Sequence, residues 1–245
     1  MYNIQTIYMK FKALIFDLDG TALPTGKDSK PSAKVIEAVK KAKNYLSVSF
    51  ATARRLSSVT EIINMLDISS PSIITGGTTI INPRNENIIW QKCLDKQTIN
   101  LVMGIAKKYP GEILMDDELN CSIIYLRNPN KNITDKILEE LKKISNINCV
   151  VAISWIKGWT DIHVTHIDAT KRNAVEELLK ILKVKKEETI VVGDSFNDLP
   201  FFEAGGFKIA MGNAVEELKD KADFIAPSVD DDGLAFVIEK FIIKK

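Results

Sequence analysis

The sequence has little of what secreted, zinc-binding or membrane proteins require. Among its 245 residues are three cysteines, none in a CxxC pair, which argues against a disulfide framework and against a zinc site. No apolar run approaches the roughly 18 residues of a membrane helix, and the N-terminus lacks a basic segment followed by an apolar one. We therefore expect a cytoplasmic protein with no membrane anchor and no export signal.

An excess of either charge is also missing. The 33 Lys and Arg residues offset 32 Asp and Glu residues, and the net charge is +1. No long-range electrostatic field therefore favours nucleic acid or an acidic membrane surface as a partner. The composition, 45% hydrophobic and 27% charged, is instead typical of a packed, water-soluble protein. It leaves the oligomeric state open.

Short β-rich segments alternate with helical ones in two parts of the chain, residues 1–82 and 163–245. Such alternation predicts a parallel sheet with helices on both faces, a Rossmann-like α/β core. The predicted strands of the first part are FKALIF, YLSVSFAT and PSIIT, and those of the second part are TIVVG, FKIAM and ADFIA. We expect the two parts to form one discontinuous domain.

The pattern changes over residues 83–162. Strand-like segments (ENIIWQK, GEILMDD, CSIIYLR and NCVVAIS) surround predicted helices near 97–108 and 133–144. Pro83 gives a turn signal at the entry to this region, and Gly158 offers a flexible position near its exit. These features predict an α+β domain inserted into the α/β core.

Two aspartates, Asp17 and Asp19, follow the first predicted strand in the segment LIFDLDGT. Residues two apart on a strand face the same way, and the carboxyl end of a strand is where open α/β sheets bind ligands. Two carboxylates this close raise each other's pKa unless a cation or a proton intervenes. An EF-hand calcium loop is not indicated, because Ala22 and Asp28 stand where it needs Gly and Glu. The pair therefore indicates a metal site or a role in proton transfer.

A second acidic group follows another predicted strand in VVGDSFNDLP. Asp194 and Asp198 are four residues apart across a loop that enters a helix, so both carboxylates are expected near one point. Asp194 is a candidate metal ligand. The alternative is that Asp194, Ser195 or Asn197 caps the helix, which explains one polar residue of the group but not all of them.

Thr52 and Lys171 are further candidates at predicted element ends. Thr52 ends the second strand, where its hydroxyl could donate to a phosphate or serve as a helix cap. Lys171 lies in the first turn of a predicted helix, where the helix dipole disfavours a cation, although a solvated lysine is the simpler alternative. The carboxyl ends of neighbouring strands meet at one edge of a sheet, so all these residues are expected to converge there.

The motifs resemble those of the haloacid dehalogenase superfamily of phosphohydrolases, and within it the Cof-type branch with a type IIB cap. The segments that carry the resemblance are DLDGT from Asp17, ATAR with Thr52, Lys171, GDSFND from Asp194, AMGNA, and DDDGLAFVIEKF. Two departures lie beside the expected phosphate pocket. Ala53 stands where the family usually has Gly, and Gly76 followed by Gly77 replaces the usual Asn-Gly.

The resemblance implies a Mg²⁺-dependent phosphatase that acts on small phosphomonoesters, of the sugar phosphate or phosphoglycolate type. Asp17 would be the nucleophile that forms an aspartyl-phosphate, and Asp19 the general acid and then the general base. Mg²⁺ would bind Asp17, the backbone carbonyl of Asp19, and Asp194. Thr52 and Lys171 would act with them in catalysis. The residues expected to bind or orient the phosphate are Gly20, Thr52, Ala53, Lys171, Asn197 and Asp198.

The inserted domain would then be a cap that selects the substrate and limits access of water. Its candidate substrate contacts are Asp116, Arg127, Trp155, Trp159 and His163, each of which has an alternative role in packing or at the surface. Two other functions stay open. A phosphotransferase or phosphomutase could use the same aspartyl-phosphate, and a non-catalytic receiver-like module also combines a phosphorylated Asp with Thr and Lys.

Overall fold

The computed structural model of the protein describes residues 11–26, 28–115, 121–154 and 156–243. Strands and helices alternate along most of these residues. The strands are β1 (Ala13–Phe16), β2 (Ser47–Phe50), β3 (Ser72–Ile74), β4 (Thr79–Ile81), β5 (Ile88–Gln91), β6 (Glu112–Met115), β7 (Ile123–Asn128), β8 (Ile147–Ile153), β9 (Thr160–His166), β10 (Thr189–Gly193), β11 (Phe207–Ala210) and β12 (Phe224–Ile225).

The α-helices are mostly short. They are α1 (Ala33–Ala42), α2 (Thr60–Leu66), α3 (Lys96–Ala106), α4 (Lys131–Leu141), α5 (Lys171–Leu182), α6 (Leu199–Ala204), α7 (Glu216–Lys219) and α8 (Gly233–Phe241). Within the described ranges, none of the helices combines the length and the apolar character needed to cross a membrane.

The chain packs as two compact units. One runs up to Ile89 and resumes at Lys171, and the other is Trp90–Thr170. Both a discontinuous unit and a unit inserted into it are therefore present. Our more specific boundaries, with the insertion over 83–162, stay a prediction.

The discontinuous unit contains a five-stranded parallel sheet in the order β12-β11-β10-β1-β2. All four residues of β1, an interior strand of this sheet, are fully buried, as a strand covered on both faces requires. The chain leaves β1 toward β2 in one direction and leaves β10 toward β11 in the other, and right-handed crossovers then place the connecting helices on opposite faces. Accordingly α1 packs with α8, and α5 packs with α6. The predicted α/β class is confirmed.

The predicted third strand, PSIIT, departs from the expected arrangement. It forms β3, which joins β2 through a single parallel bridge between Ala51 and Ile73 and pairs antiparallel with β4. The cause is the turn at Thr75–Gly77, where all three residues have positive φ, from 51° to 104°. Two glycines allow this reversal, which sends the chain back along β3 instead of into a crossover helix.

The inserted unit contains a four-stranded antiparallel sheet in the order β6-β7-β9-β8. Alternate residues of β7 and β9 enter one hydrophobic core with α3 and α4, among them Leu126, Ile162 and Val164. The residues between them, which include Arg127 and His163, lie on the other face of the sheet. Paired strands with two helices agree with the α+β pattern of this part of the sequence.

Candidate active site

The candidate residues of the core follow the carboxyl ends of three neighbouring strands. Asp17 comes directly after β1, Thr52 lies two residues beyond β2, and Asp194 comes directly after β10. Because β1 lies between β2 and β10 in the sheet, the three loops open at the same edge. Lys171, the first residue of α5, completes the group.

Lys171 joins two of the aspartates in the interior. Its Nζ lies 2.7 Å from Asp17 Oδ1 and 2.7 Å from Asp198 Oδ1, and 3.5 Å from Asn197 Oδ1. Lys171, Asp17 and Asp198 are 4%, 5% and 0% exposed, so these are desolvated ion pairs. Burial alone would lower the pKa of Lys171, but the charges of the two carboxylates outweigh burial and raise it. These pairs explain why a cation is tolerated at the N-terminus of α5.

Asp198 organises the loop that follows β10. Its Oδ2 accepts hydrogen bonds from the backbone N–H groups of Asp194 (3.0 Å) and Ser195 (3.1 Å), while Oδ1 accepts from Lys171. A side chain at Gly193 would lie 2.7 Å from Asp198 Oδ2, so glycine is needed there. With these donors on both oxygens, Asp198 contacts Lys171 and the backbone at Asp194 and has little capacity left for a metal ion.

Asp194 is held by the loop that follows β1. Thr21 Oγ1 donates to Asp194 Oδ1 at 2.9 Å. Burial, and next the charge of Asp198, raise the pKa of Asp194 to about 7. Gly20 has a φ of +79°, and a Cβ on it would lie 2.7 Å from Asp194 Cγ. The Gly20 amide, predicted to contact phosphate, instead donates to Leu23 O at 2.8 Å.

Three carboxylates form a cluster that suits a divalent cation. Oxygens of Asp17, Asp194 and Asp198 lie within 4.8 Å of one another. Burial raises the pKa of Asp17 well above its usual value, the charges of Asp198 and Asp194 add to this, and Lys171 opposes it. One ammonium thus faces two buried acids, Asp17 and Asp198, and one half-buried acid, Asp194. Carboxylate oxygens are the ligands that Mg²⁺ prefers, and because Asp198 is already engaged, the donor set that fits the ion is Asp17 with Asp194.

Asp19 has a different partner from Asp17. Arg54 Nε donates to Asp19 Oδ2 at 2.8 Å, and Arg54 Nη2 donates to Asp19 Oδ1 at 2.5 Å and to Gly26 O at 2.8 Å. Since β1 ends at Phe16, the strand periodicity used to place both carboxylates on one side does not extend to Asp19. Sequence reasoning missed Arg54, although a basic pair that begins two residues after Thr52 was a usable signal.

Thr52 is buried and lies in the turn after β2 that also contains Arg54. Its Oγ1 accepts the Arg54 N–H at 3.1 Å, which leaves the hydroxyl proton to be donated elsewhere. Ala53, half-buried, lies between these two residues. Gly76 N donates to Thr52 O at 3.0 Å, and Gly76 has a φ of +70°. Asn also adopts positive φ more readily than most residues, so Gly at this position preserves the backbone conformation that Asn would take.

The candidate substrate contacts belong to the inserted unit, and two of them, Asp116 and Trp155, lie outside the described residues. Arg127 pairs with Asp161 through two hydrogen bonds of 2.9 and 3.1 Å, so its guanidinium binds within its own unit. His163 contacts the ring of Tyr125 edge-on, with 4.9 Å between ring centroids, and burial lowers the pKa of His163. Trp159 lies just before β9.

Comparison with known proteins gives a family for the whole pattern. A sequence profile of haloacid dehalogenase-like hydrolases matches residues 14–126 and 115–238. A phosphoglycolate phosphatase of Saccharolobus solfataricus is 41% identical over 81 residues, which are 33% of this chain and only 36% of that protein. Over 94% of this chain, the phosphoglycolate phosphatase of Archaeoglobus fulgidus is 26% identical, with 96% of that protein covered. The 5-amino-6-(5-phospho-D-ribitylamino)uracil phosphatase YwtE of Bacillus subtilis is also 26% identical over 94% of this chain, with 98% of that protein covered.

Solved structures share the fold. A haloacid dehalogenase-like hydrolase from Bacteroides thetaiotaomicron superposes with a TM-score of 0.82 at 21% identity, covering 94% of this chain and 99% of that one. A subclass IIB sugar phosphatase gives a TM-score of 0.75 at 19% identity, covering 94% of this chain and 98% of that one. At such identities the comparison establishes the architecture.

Proposed function

Because the chain belongs to the haloacid dehalogenase-like hydrolases, we propose that it is a Mg²⁺-dependent phosphatase that hydrolyses small phosphomonoesters through an aspartyl-phosphate. The observation that carries the proposal is the buried contact of Lys171 with both Asp17 and Asp198, beside the Asp194 carboxylate. This arrangement holds the Asp17 carboxylate at the carboxyl end of β1, beside a positive charge that can attract an anionic substrate.

In the first step, Asp17 attacks phosphorus. Lys171 binds its Oδ1, so attack by the other oxygen would keep this contact in place. A new bond forms between that oxygen and phosphorus, the bond from phosphorus to the ester oxygen breaks, and the departing alkoxide takes a proton from Asp19. Thr52 and Lys171 would hold the phosphoryl oxygens as negative charge moves onto them.

In the second step, water displaces Asp17. The water oxygen bonds to phosphorus, its proton passes to Asp19, and the electron pair of the broken bond returns to the Asp17 carboxylate. Asp19 thus recovers the proton that it gave to the leaving group. Bound Mg²⁺, held by Asp17, Asp194 and the Asp19 carbonyl, would supply charge neutralisation that lets an anionic nucleophile approach an anionic phosphate.

The substrate class follows from the relatives. Those that align along nearly their whole length are named as phosphatases of phosphoglycolate and of a ribitylamino-uracil phosphate. Both names describe small phosphorylated metabolites, and we propose a substrate of this size. The three cysteines, Cys93, Cys121 and Cys149, are odd in number and include no CxxC pair, which fits a reducing compartment and supports the cytoplasm as the location.

The experiment that tests the proposal compares wild type with Asp17→Asn. Phosphate release from 2-phosphoglycolate, sugar phosphates, nucleotides and an aryl phosphate would be measured with and without Mg²⁺. We expect Mg²⁺-dependent release by wild type, and none by Asp17→Asn, with a cooperative thermal transition showing that this variant is still folded. The matched control is Asp28→Asn, an exposed aspartate close along the chain, which should retain activity.

Near-normal hydrolysis by Asp17→Asn would contradict the nucleophile. Transfer of the phosphoryl group to another hydroxyl without phosphate release would instead indicate a phosphotransferase or mutase. A phosphorylated Asp17 that persists for hours in the presence of Mg²⁺ would favour a receiver-like role.

A further inference from the structure

Arg54 fixes the direction of the Asp19 carboxylate. It donates to both carboxylate oxygens and to Gly26 O, and its side chain is only 13% exposed. A guanidinium is a rigid planar fork, so two parallel hydrogen bonds to one carboxylate set orientation as well as distance. Asp19 therefore cannot turn without breaking at least one of these contacts.

The backbone of Arg54 is itself anchored to the turns that follow β2 and β3. Its N–H donates to Thr52 Oγ1 at 3.1 Å, and its carbonyl accepts from Thr75 N at 2.8 Å. Gly76 N donates to Thr52 O at 3.0 Å. The Arg54 guanidinium is thus supported by a part of the core separate from the loop that carries Asp19, and it can fix the position of that loop relative to Thr52.

We propose that Arg54 is a positioning residue that aims Asp19 at the attacking water and thereby speeds hydrolysis of the aspartyl-phosphate more than its formation; this role rests on the proposed function. The guanidinium of Arg54 contacts both carboxylate oxygens, so it fixes the directions of their remaining lone pairs. Hydrolysis needs such a lone pair directed at the water, because the proton of the water must pass to Asp19 as the new phosphorus–oxygen bond forms and the bond to Asp17 breaks.

The two steps can be separated by the choice of substrate. An aryl phosphate releases a stabilised phenolate that needs no proton from Asp19, whereas the second step is the same for every substrate. A change confined to Arg54 should therefore leave phosphorylation of Asp17 by an aryl phosphate almost untouched and slow only its hydrolysis. The ratio kcat/KM reports the steps up to departure of the phenolate, and kcat reports the slow hydrolysis that follows.

The test is Arg54→Lys, assayed by rapid quench with p-nitrophenyl phosphate and saturating Mg²⁺. Lysine keeps the charge but replaces the two-pronged fork with a single flexible donor. We expect kcat and KM to fall together, kcat by about tenfold to a hundredfold, which is within what acid–base catalysis contributes. An initial burst of nitrophenolate should appear, and peptide mapping should find phosphate on Asp17. Arg84→Lys, the same change at an exposed arginine, should behave as wild type.

A double variant tests whether Arg54 acts through Asp19. Asp19→Asn should itself slow hydrolysis of the intermediate, and Arg54→Lys added to it should change the rate no further, because residues that act as a unit are not additive. If Arg54→Lys melts far below wild type, Arg54→Gln is measured in the same way.

Three results would overturn this role. A parallel fall in kcat and kcat/KM without phosphorylated Asp17 would place Arg54 in the first step. Unchanged kinetics of Arg54→Lys would leave Arg54 without a kinetic role. Full additivity of the rate effects of Arg54→Lys and Asp19→Asn would show that the two residues act independently. In each case wild type would still release phosphate. Absence of Mg²⁺-dependent phosphate release by wild type, by contrast, would reject the proposed function and this role with it.

Discussion

Gly20→Ala should weaken Mg²⁺ binding although it replaces none of the proposed side-chain ligands. Gly20 has a φ of +79°, and a methyl group there would stand 2.7 Å from Asp194 Cγ, where ordinary contacts begin at 3.4 Å. Either the Asp194 carboxylate or the loop after β1 must move. Both movements separate Asp194 from Thr21, whose hydroxyl donates to it at 2.9 Å.

The magnitude follows from two terms. Alanine in the left-handed region costs roughly 1–2 kcal/mol. A hydrogen bond to a charged group contributes about 1.5–3 kcal/mol, so Gly20→Ala should lower the free energy of unfolding by about 3 kcal/mol or more when the Thr21 contact is lost as well. Residues that orient metal ligands typically change affinity 10- to 100-fold, and we expect Mg²⁺ affinity to fall by about that factor.

Gly158→Ala is the matched control. Gly158 has nearly the same φ, +83°, but a Cβ there meets no atom within 4 Å, so the variant carries the backbone cost alone. Urea unfolding measures the free energy of unfolding, and calorimetric titration measures Mg²⁺ affinity. The reasoning is refuted if Gly20→Ala binds Mg²⁺ as wild type does, or if it is no less stable than Gly158→Ala.

Three further predictions concern the charges of the same site. Lys171→Met should destabilise the fold by about 3–5 kcal/mol, because it leaves Asp17 and Asp198 buried without their cation, whereas Lys180→Met, on the exposed side of the same helix, should change the urea midpoint little. Without Mg²⁺, stability should fall as pH rises from about 4 to 7, since the pKa of Asp194 is raised from 3.8 to about 7 in the folded state and the protonated form is favoured there. The slope from this one group is at most about 1.4 kcal/mol per pH unit, and it should be absent from Asp194→Asn, so that it appears in the difference between wild type and this variant. Chelation of Mg²⁺ should lower stability at neutral pH by about 2.7 kcal/mol relative to an ion concentration of 100 Kd, and equal melting temperatures with and without Mg²⁺ would contradict the metal site.

The sequence predicted residues that lie just beyond strand ends better than it predicted their partners. Asp17, Thr52 and Asp194 each follow a short buried strand, and strand order alone brings such positions to one edge of a sheet. Lys171 was noticed because its charge conflicts with the helix dipole, and the conflict is resolved by contacts with carboxylates that come from both ends of the chain. Local patterns thus located residues that the fold brings together, because each pattern marks the end of an element, and their roles in a site stay a prediction.

Arg54 and Arg127 show what such patterns leave out. The partner of Arg127, Asp161, lies opposite it in the register of β7 and β9, and no local pattern specifies which residue of a distant strand will be opposite. Arg54 reaches Asp19 with a long side chain across two loops, so its role depends on rotamers and loop positions. The misplaced third strand has a similar origin, because a turn with positive φ at three consecutive residues has no equivalent in hydrophobic periodicity.

Four aspartates with the same chemistry acquire different roles through the donors around them. Asp198 has an ammonium on one oxygen and two backbone amides on the other, so it can orient neighbours but has little capacity left for a metal. Among the described residues, Asp194 receives one hydroxyl and Asp17 receives one ammonium, so each retains an oxygen for a cation or for phosphorus. Asp19 has both oxygens on one guanidinium, which fixes its direction while leaving further lone pairs for a proton. Changing the donors around one of these aspartates should therefore change the role of that aspartate. Kinetic measurements on variants of the donor residues will report this more directly than substitution of the aspartates themselves.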